Sequence, residues 1–374
     1  MRHNRTRHTA AQPPQIITTL DSRVLMQLQL NRENAAKYGI WRVEPAGTGI
    51  FVGENGQAAL CFDRFRVSCI VIASKRGAAD VTATSLFAGR CAMTARLRTI
   101  LDGGRYFEGP RWHRGRLWFV DCMARTLLSI SPSGELQEHA ALTDDTPCGL
   151  GVLPDGDIVV LTMFRKRLLR FSDGALSLYA DLSEVATGTI DDMIVDGQGR
   201  AYVGDLGFNL PPPERRGAVG RIILVTPDGS ARVVAEGLRF PNGIAVSSDH
   251  LRLVVAEMDG AGLADYDIAP DGGLSLRGRF GSINDPDGIC LDADGATWVA
   301  SFTEDAFVRI DRTGVECERI KMPGRRALAC ALGGADRRML FCLSAETSYE
   351  ELRKGRSTSR IDVVEVDTPG DGYP

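Results

Sequence analysis

The chain has 374 residues, 44% of them hydrophobic and 25% charged, with a formal net charge of −4. This is ordinary globular composition, without the basic balance of a nucleic-acid binder and without an apolar run long enough to cross a bilayer. Nine scattered cysteines, odd in number and lacking a C-x-x-C pair, argue against a disulfide framework or a thiolate zinc site and point to a reducing, cytoplasmic compartment.

Charge divides the chain. Of its 44 Lys+Arg and 48 Asp+Glu, 12 and 6 fall in residues 1–92, so the remainder, with 32 and 42, is acidic. The opening Met1–His8 is basic, but no apolar h-region follows, so it is not a secretory signal. The one continuous apolar run there, Val67–Ala73, is too short to nucleate a core. Residues 1–92 are expected to be a poorly structured N-terminal extension, disordered or lying upstream of a true start at Met93. A small separate domain is the third reading.

From residue 93 to 374 one pattern repeats six times. A short apolar strand meets a polar turn, and a second apolar strand follows. The first copy runs Glu108-Gly109-Pro110-Arg111-Trp112, turn, Leu117-Trp118-Phe119-Val120-Asp121. The residues before each second strand are Gly115, Gly156, Gly199, His250, Gly295 and Arg337, at steps of 41, 43, 51, 45 and 42. Repeats in the forties with room for four strands are propeller blades. A sandwich does not explain six near-equal copies, and a β-helix has shorter coils. The fold class is all-β, a six-bladed β-propeller. The last blade has its third strand at residues 360–366, and residues 94–101 supply its fourth, leaving no open sheet edge.

The same phase identifies a ring. Counting back eight positions from each turn residue, or seven in the first copy, gives Glu108, Cys148, Asp191, Asn242, Asp287 and Ala329. If first strands line the central channel, these six point at one axis, and four of them carry oxygen. Three carboxylates converging without a counter-charge are costly to desolvate. A divalent cation resolves the conflict, and an all-oxygen set suits Ca²⁺ first, with Mg²⁺, Mn²⁺ or Zn²⁺ as alternatives. Asp and Asn also cap turns, but four in one repeat phase favour the ligand reading. Asp155, Asp196, Asp249, Asp292 and Asp294, at the other strand end, read as turn formers. Trp112, Trp118 and Trp298 read as blade packing. None of the five histidines falls on the ring, and no Ser-His-Asp arrangement is present.

Antiparallel order puts the loops after each second strand around the mouth. Asp121 and Asp192 are expected to contact substrate there. The longest loop, residues 205–220, is expected to act as a lid, with Phe208 and Asn209 as its contacts.

Glu108-Gly109-Pro110-x-Trp112, Asp196-x-x-Gly199-Arg200, Pro241-Asn242-Gly243-Ile244-Ala245 and Asp287-Gly288 followed by Asp292-x-x-Gly295 resemble the signatures of the SMP-30/gluconolactonase/luciferin-regenerating-enzyme family. The resemblance covers residues 94–367. It implies a six-bladed propeller with one divalent metal, held by Glu108, Asn242 and Asp287, that polarises the carbonyl of a sugar lactone for attack by water. It implies Asp287 as general base. The third copy departs from the family's Arg-x-Asn-Asp-Gly, reading Thr189-Ile190-Asp191-Asp192-Met193. Asp191 keeps an oxygen ligand. Thr189, where the family holds substrate with Arg, loses a fork of donors. The expected function is metal-dependent hydrolysis of small lactones, with Asp287 or Asp191 accepting the proton and less hydroxylated lactones preferred. The alternatives are a non-catalytic ligand-binding propeller and a hydrolase of other esters on the same metal. No nucleic-acid or membrane partner is expected.

Overall fold

The structure is a computed structural model that describes residues 38–43, 49–53, 59–63, 66–70, 97–211, 218–260 and 262–372. The chain forms two compact units, Met1–Thr94 and Ala95–Pro374. In the first, strands Tyr38–Val43, Gly49–Gly53, Ala59–Asp63 and Arg66–Ile70 form a four-stranded antiparallel meander. Four strands thus occur where the repeat is absent. The remainder of residues 1–96, including the expected start at Met93, lies outside the described residues.

The second unit is a ring of six four-stranded antiparallel sheets, the six-bladed propeller that the repeat predicts. Its inner strands are Phe107–His113, Pro147–Val152, Ile190–Val195, Pro241–Val246, Pro286–Leu291 and Arg326–Gly333. Each packs against the next, and that of blade 6 packs against that of blade 1. Blade 6 takes its outermost strand, Arg98–Gly104, from the start of the unit, paired to Thr358–Glu365. The expected closure is therefore present.

Burial explains the sequence pattern within a blade. All six residues of Pro147–Val152 are buried, and so are all five of the next strand, Ile158–Thr162; the outermost strand, Ala175–Asp181, is mostly exposed. Inner strands are covered on both faces by neighbouring blades and so read as continuous apolar runs, whereas outer strands carry polar residues toward water. The core lies between blades rather than within one layer. Between blades 6 and 1, Phe107, Leu117 and Phe119 meet Phe341, Leu343 and Ile361, and Trp112 stacks on Phe341 at 5.4 Å.

Every inner strand carries a register shift at its channel end. In blades 3, 4 and 5, two residues of the inner strand oppose one on its neighbour: Asp191 and Asp192, Asn242 and Gly243, Asp287 and Gly288. Such bulges bend a strand and re-aim its side chains. Here they sit on the positions that the repeat phase singles out. At the opposite strand end the aspartates form turns as expected: Asp196 accepts from the backbone amides of Gln198 and Arg200, and Asp292 from those of Asp294 and Ala296.

Candidate functional site

The four ring oxygens lie at the start of inner strands of blades 1, 3, 4 and 5. Asp287 and Asn242 are buried, while Glu108 and Asp191 keep partial exposure. The glycines beside three of them do not form turns. A Cβ on Gly243 would lie 2.5 Å from the Asp287 carbonyl oxygen, and one on Gly288 would lie 2.5 Å from the Ala329 Cβ. A Cβ on Gly109 would stand 3.0 Å from the Gly149 Cα. These glycines let neighbouring inner strands touch, which narrows the channel where the ring residues face it.

The carboxyls act on one another. Burial pushes Glu108 well above the usual carboxylate range, and Asp287, Asp191 and Asp192 push it further. Burial likewise raises Asp287, with Asp191 and Asp192 adding to it and a hydrogen bond from Asn242 opposing. Asp191 is raised to about 7, by burial first and Asp192 second. The Tyr106 hydroxyl, raised chiefly by burial, is pushed higher by Asp287, Glu108 and Asp191 together. One tyrosine thus feels all three ring carboxylates, so they share a single space.

Among the described residues, no three His, Cys, Asp or Glu side chains are gathered closely enough to hold an ion as they stand. The donor chemistry nonetheless fits a hard cation. The ring offers three carboxylates and an amide; burial raises all three carboxyls, ring partners push Glu108 and Asp287 further, and Asp192 pushes Asp191. Carboxylates with an amide are the donor type that a hard divalent cation such as Ca²⁺ takes.

The Asp192 carboxylate is engaged by the protein itself. It accepts from the Arg111 guanidinium at 3.1 Å, from its neighbour Met193 N at 2.7 Å and from Ile244 N of blade 4 at 3.1 Å. Arg111 also donates to the carbonyl oxygens of Pro110 and Met193. Asp192 is therefore a buried tie between blades 1, 3 and 4. Asp121 is occupied too: its two oxygens accept backbone N–H groups of Arg105, Tyr106 and Ala124. Asp205 does the same for Thr187 and Gly188, and Glu257 for Arg239. These carboxylates end second strands and hold the chain just before the ring position of their own blade.

Thr189 is buried, and its hydroxyl accepts the Leu210 amide at 3.0 Å. It anchors the long loop instead of standing open to a ligand. Phe208 meets Phe240 edge-on at 5.5 Å, while Asn209 is exposed. Phe208 and Leu210 from blade 3 and Leu352 from blade 6 pack on one cluster made of Leu206, Phe240, Met258, Phe302, Leu328 and Ala345. The cluster thus joins residues of blades 3, 4, 5 and 6.

Sequence reading missed this apolar layer, although the repeat encodes it. The residue after each of the first five second strands is Cys122, Met163, Leu206, Met258 or Phe302, and Ala345 lies just inside the end of the sixth; none of them is charged. Five are buried and Met163 is partly exposed. Met258 touches the ring directly, its Sδ lying 3.7 Å from Nδ2 of Asn242. Tyr106 was missed as well; its only signal is its place two residues before Glu108.

Residues 107–346 match the model of the SMP-30/gluconolactonase/LRE-like region. The chain belongs to this family. Among curated relatives, it is 28% identical over 255 residues to the pentonolactonase XacC of Haloferax volcanii, covering 66% of this chain and 84% of that protein. It is 26% identical over 269 residues to regucalcin of Xenopus laevis, covering 69% and 89%. Its fold resembles a luciferin-regenerating enzyme with a TM-score of 0.62 at 19% identity, over 75% of this chain and 99% of the other. A gluconolactonase from Xanthomonas campestris aligns with a TM-score of 0.59 at 24% identity, over 74% and 93%. The architecture expected from the motifs is that of the family. No helix among the described residues is long and apolar enough to cross a membrane.

Proposed function

We propose that this protein hydrolyses small lactones with the aid of a divalent cation held by Glu108, Asp191, Asn242 and Asp287. The observation that carries the reading is the convergence of three carboxyls, close enough that Asp287 and Asp191 both push Glu108 up and all three act on Tyr106. Such a cluster serves a cation site and has no use in a scaffold. Similarity to a pentonolactonase supports lactones as the substrate class. The scattered cysteines support a cytoplasmic setting.

Bound there, a divalent cation supplies Lewis acidity toward an acyl carbonyl, with Ca²⁺ the first candidate and Mg²⁺, Mn²⁺ and Zn²⁺ next. The chain supplies the rest. Asp287 or Asp191 accepts the proton of the attacking water. Water adds across the acyl C–O bond, the ring opens, and the product is a hydroxy acid. The apolar layer at Leu206, Met258 and Phe302 excludes bulk water. Thr189, engaged by the loop, offers no donor fork to a polyhydroxy ring.

The test is a hydrolysis screen over five- and six-membered lactones, aryl esters and phosphotriesters. The full chain is stripped with chelator and reloaded with Ca²⁺, Mg²⁺, Mn²⁺ or Zn²⁺. Lactone turnover that vanishes with chelator and returns with an ion is the expected result. Turnover of esters alone moves the assignment to another hydrolase on the same site. Ion binding without turnover of any compound leaves a ligand-binding propeller and ends the lactonase reading.

A further inference from the structure

The far end of the channel holds a second feature. Cys290 on the inner strand of blade 5 and Cys330 on that of blade 6 bring their sulfurs within 3.7 Å. The approach is built into the backbone. Gly288, two residues before Cys290, has no side chain, and a Cβ there would lie 2.6 Å from the Ala329 Cα. The two inner strands therefore touch just beside the thiols. Cys330 is buried; Cys290 is partly exposed. Both line a cavity of about 40 Å³, shared with Arg111, Trp112, Arg337 and Gly370. A water needs roughly 10–15 Å³ of such space, so a molecule the size of hydrogen peroxide fits.

We propose that Cys290 and Cys330 form a redox-modification site, a dithiol that a small hydroperoxide converts to a disulfide joining blades 5 and 6. Closing the pair from contact distance to about 2.05 Å takes side-chain rotation on strands already in contact. The Cys290 sulfur attacks one peroxide oxygen, the O–O bond breaks, and water leaves after a proton is taken up. Cys290 is then a sulfenic acid. The Cys330 sulfur attacks it, the S–O bond breaks, and a second water leaves. Two thiols lose two hydrogens and two electrons, and the peroxide is reduced to two waters. The bond would cross-link the strand that carries Asp287 to the strand that carries Ala329, on the face away from the mouth.

The other described cysteines supply the controls. Cys317 is exposed and reports that oxidant has reached the protein. Cys342 stands opposite Cys330 in strand register and is the competing partner. The experiment treats the folded full chain with hydrogen peroxide, blocks free thiols with N-ethylmaleimide and maps peptides by mass spectrometry. The expected product is a linked pair carrying Cys290 and Cys330, reversed by dithiothreitol. Cys290→Ser should leave Cys330 fully alkylated, and Cys330→Ser should leave a Cys290 sulfenic acid that dimedone traps. Oxidation of Cys317 with Cys290 and Cys330 both still alkylated overturns the proposal, and so does a Cys330–Cys342 link in its place. The unmutated protein decides the matter, so a variant that folds poorly changes nothing.

Discussion

Arg111 of blade 1 reaches past blade 2 to donate to Asp192 of blade 3 at 3.1 Å. Both side chains are nearly sealed from solvent. The pair ties blade 1 to blade 3 beside the ring oxygens, and it gives Asp192 a cationic partner. Arg111→Leu leaves a buried carboxylate alone, and Asp192→Leu leaves a buried guanidinium alone. Each is expected to cost about 3–5 kcal/mol, read as a lower urea midpoint at pH 7. Replacing both should cost less than the two single changes added together. Additive losses would show that the residues do not act as a pair.

Glu108→Gln, Asn242→Ala and Asp287→Ala are each expected to weaken ion binding and abolish turnover while the β-sheet circular dichroism is retained. Metal content after dialysis, measured by mass spectrometry, is the check. Equal content in the parent and all three variants removes the ring as a metal site.

Stability of the ion-free protein should depend on pH in a definite direction. Unfolded, the ring carboxyls lose their protons near pH 4. Folded, they hold them longer, Asp191 up to about 7. Between these values the folded state binds more protons, so stability falls as pH rises through the window. In chelator, the melting temperature should drop between pH 5 and 8, and Asp191→Asn should lessen the drop. Excess Ca²⁺ should reverse it. A melting temperature that rises across this range would contradict the assignment.

Gly243 stands where a side chain would strike backbone, with a Cβ 2.5 Å from the Asp287 carbonyl oxygen and 2.7 Å from the Ile289 amide. Gly243→Ala is expected to destabilise by about 1–3 kcal/mol and to weaken ion binding by pushing blades 4 and 5 apart. Gly174→Ala, at an open turn with nothing within 4 Å, should cost less and leave the ion affinity unchanged. Chemical denaturation and ion titration of both variants separate a local turn effect from a change in the channel.

Substrate preference should follow the apolar layer at the mouth. We expect a higher kcat/KM for an alkyl lactone than for glucono-1,5-lactone of equal ring size. Thr189→Val should act through the loop, because it removes the acceptor of the Leu210 amide. A lost hydrogen bond of this kind costs about 0.5–1.5 kcal/mol. Faster proteolysis within residues 206–219 would report it. A tenfold preference of the parent for the sugar lactone would defeat this expectation.

The architecture was legible because a blade is local. Glycine and aspartate mark each turn, apolar runs mark each inner strand, and the spacing repeats. The shared place of Glu108, Asp191, Asn242 and Asp287 at the starts of inner strands was legible for the same reason, since one phase carries them. What escaped is what depends on contacts between blades. Nothing near Asp192 announces a partner 81 residues earlier. Asp121 has the composition of a ligand, yet its oxygens are taken by amides that only the folded loop brings near. Thr189 reads as a lost donor until the Leu210 amide is seen to occupy it. The glycines beside Asn242 and Asp287 look like turn residues in one dimension and prove to be points of strand contact in three.

The seam between Arg98–Gly104 and Thr358–Glu365 has a consequence for how the protein comes into being. The Thr99 hydroxyl donates to Asp362, 263 residues later. On a ribosome the first of these strands emerges early and must wait, unpaired, while five blades are made. During that time it is an exposed sheet edge, of the kind that invites pairing with other chains. The four ring oxygens come from blades 1, 3, 4 and 5, so no early group of blades holds them all. An ion held there, as proposed, would bind only once blade 5 is made and would favour forms that contain blades 1–5 over every shorter nascent form.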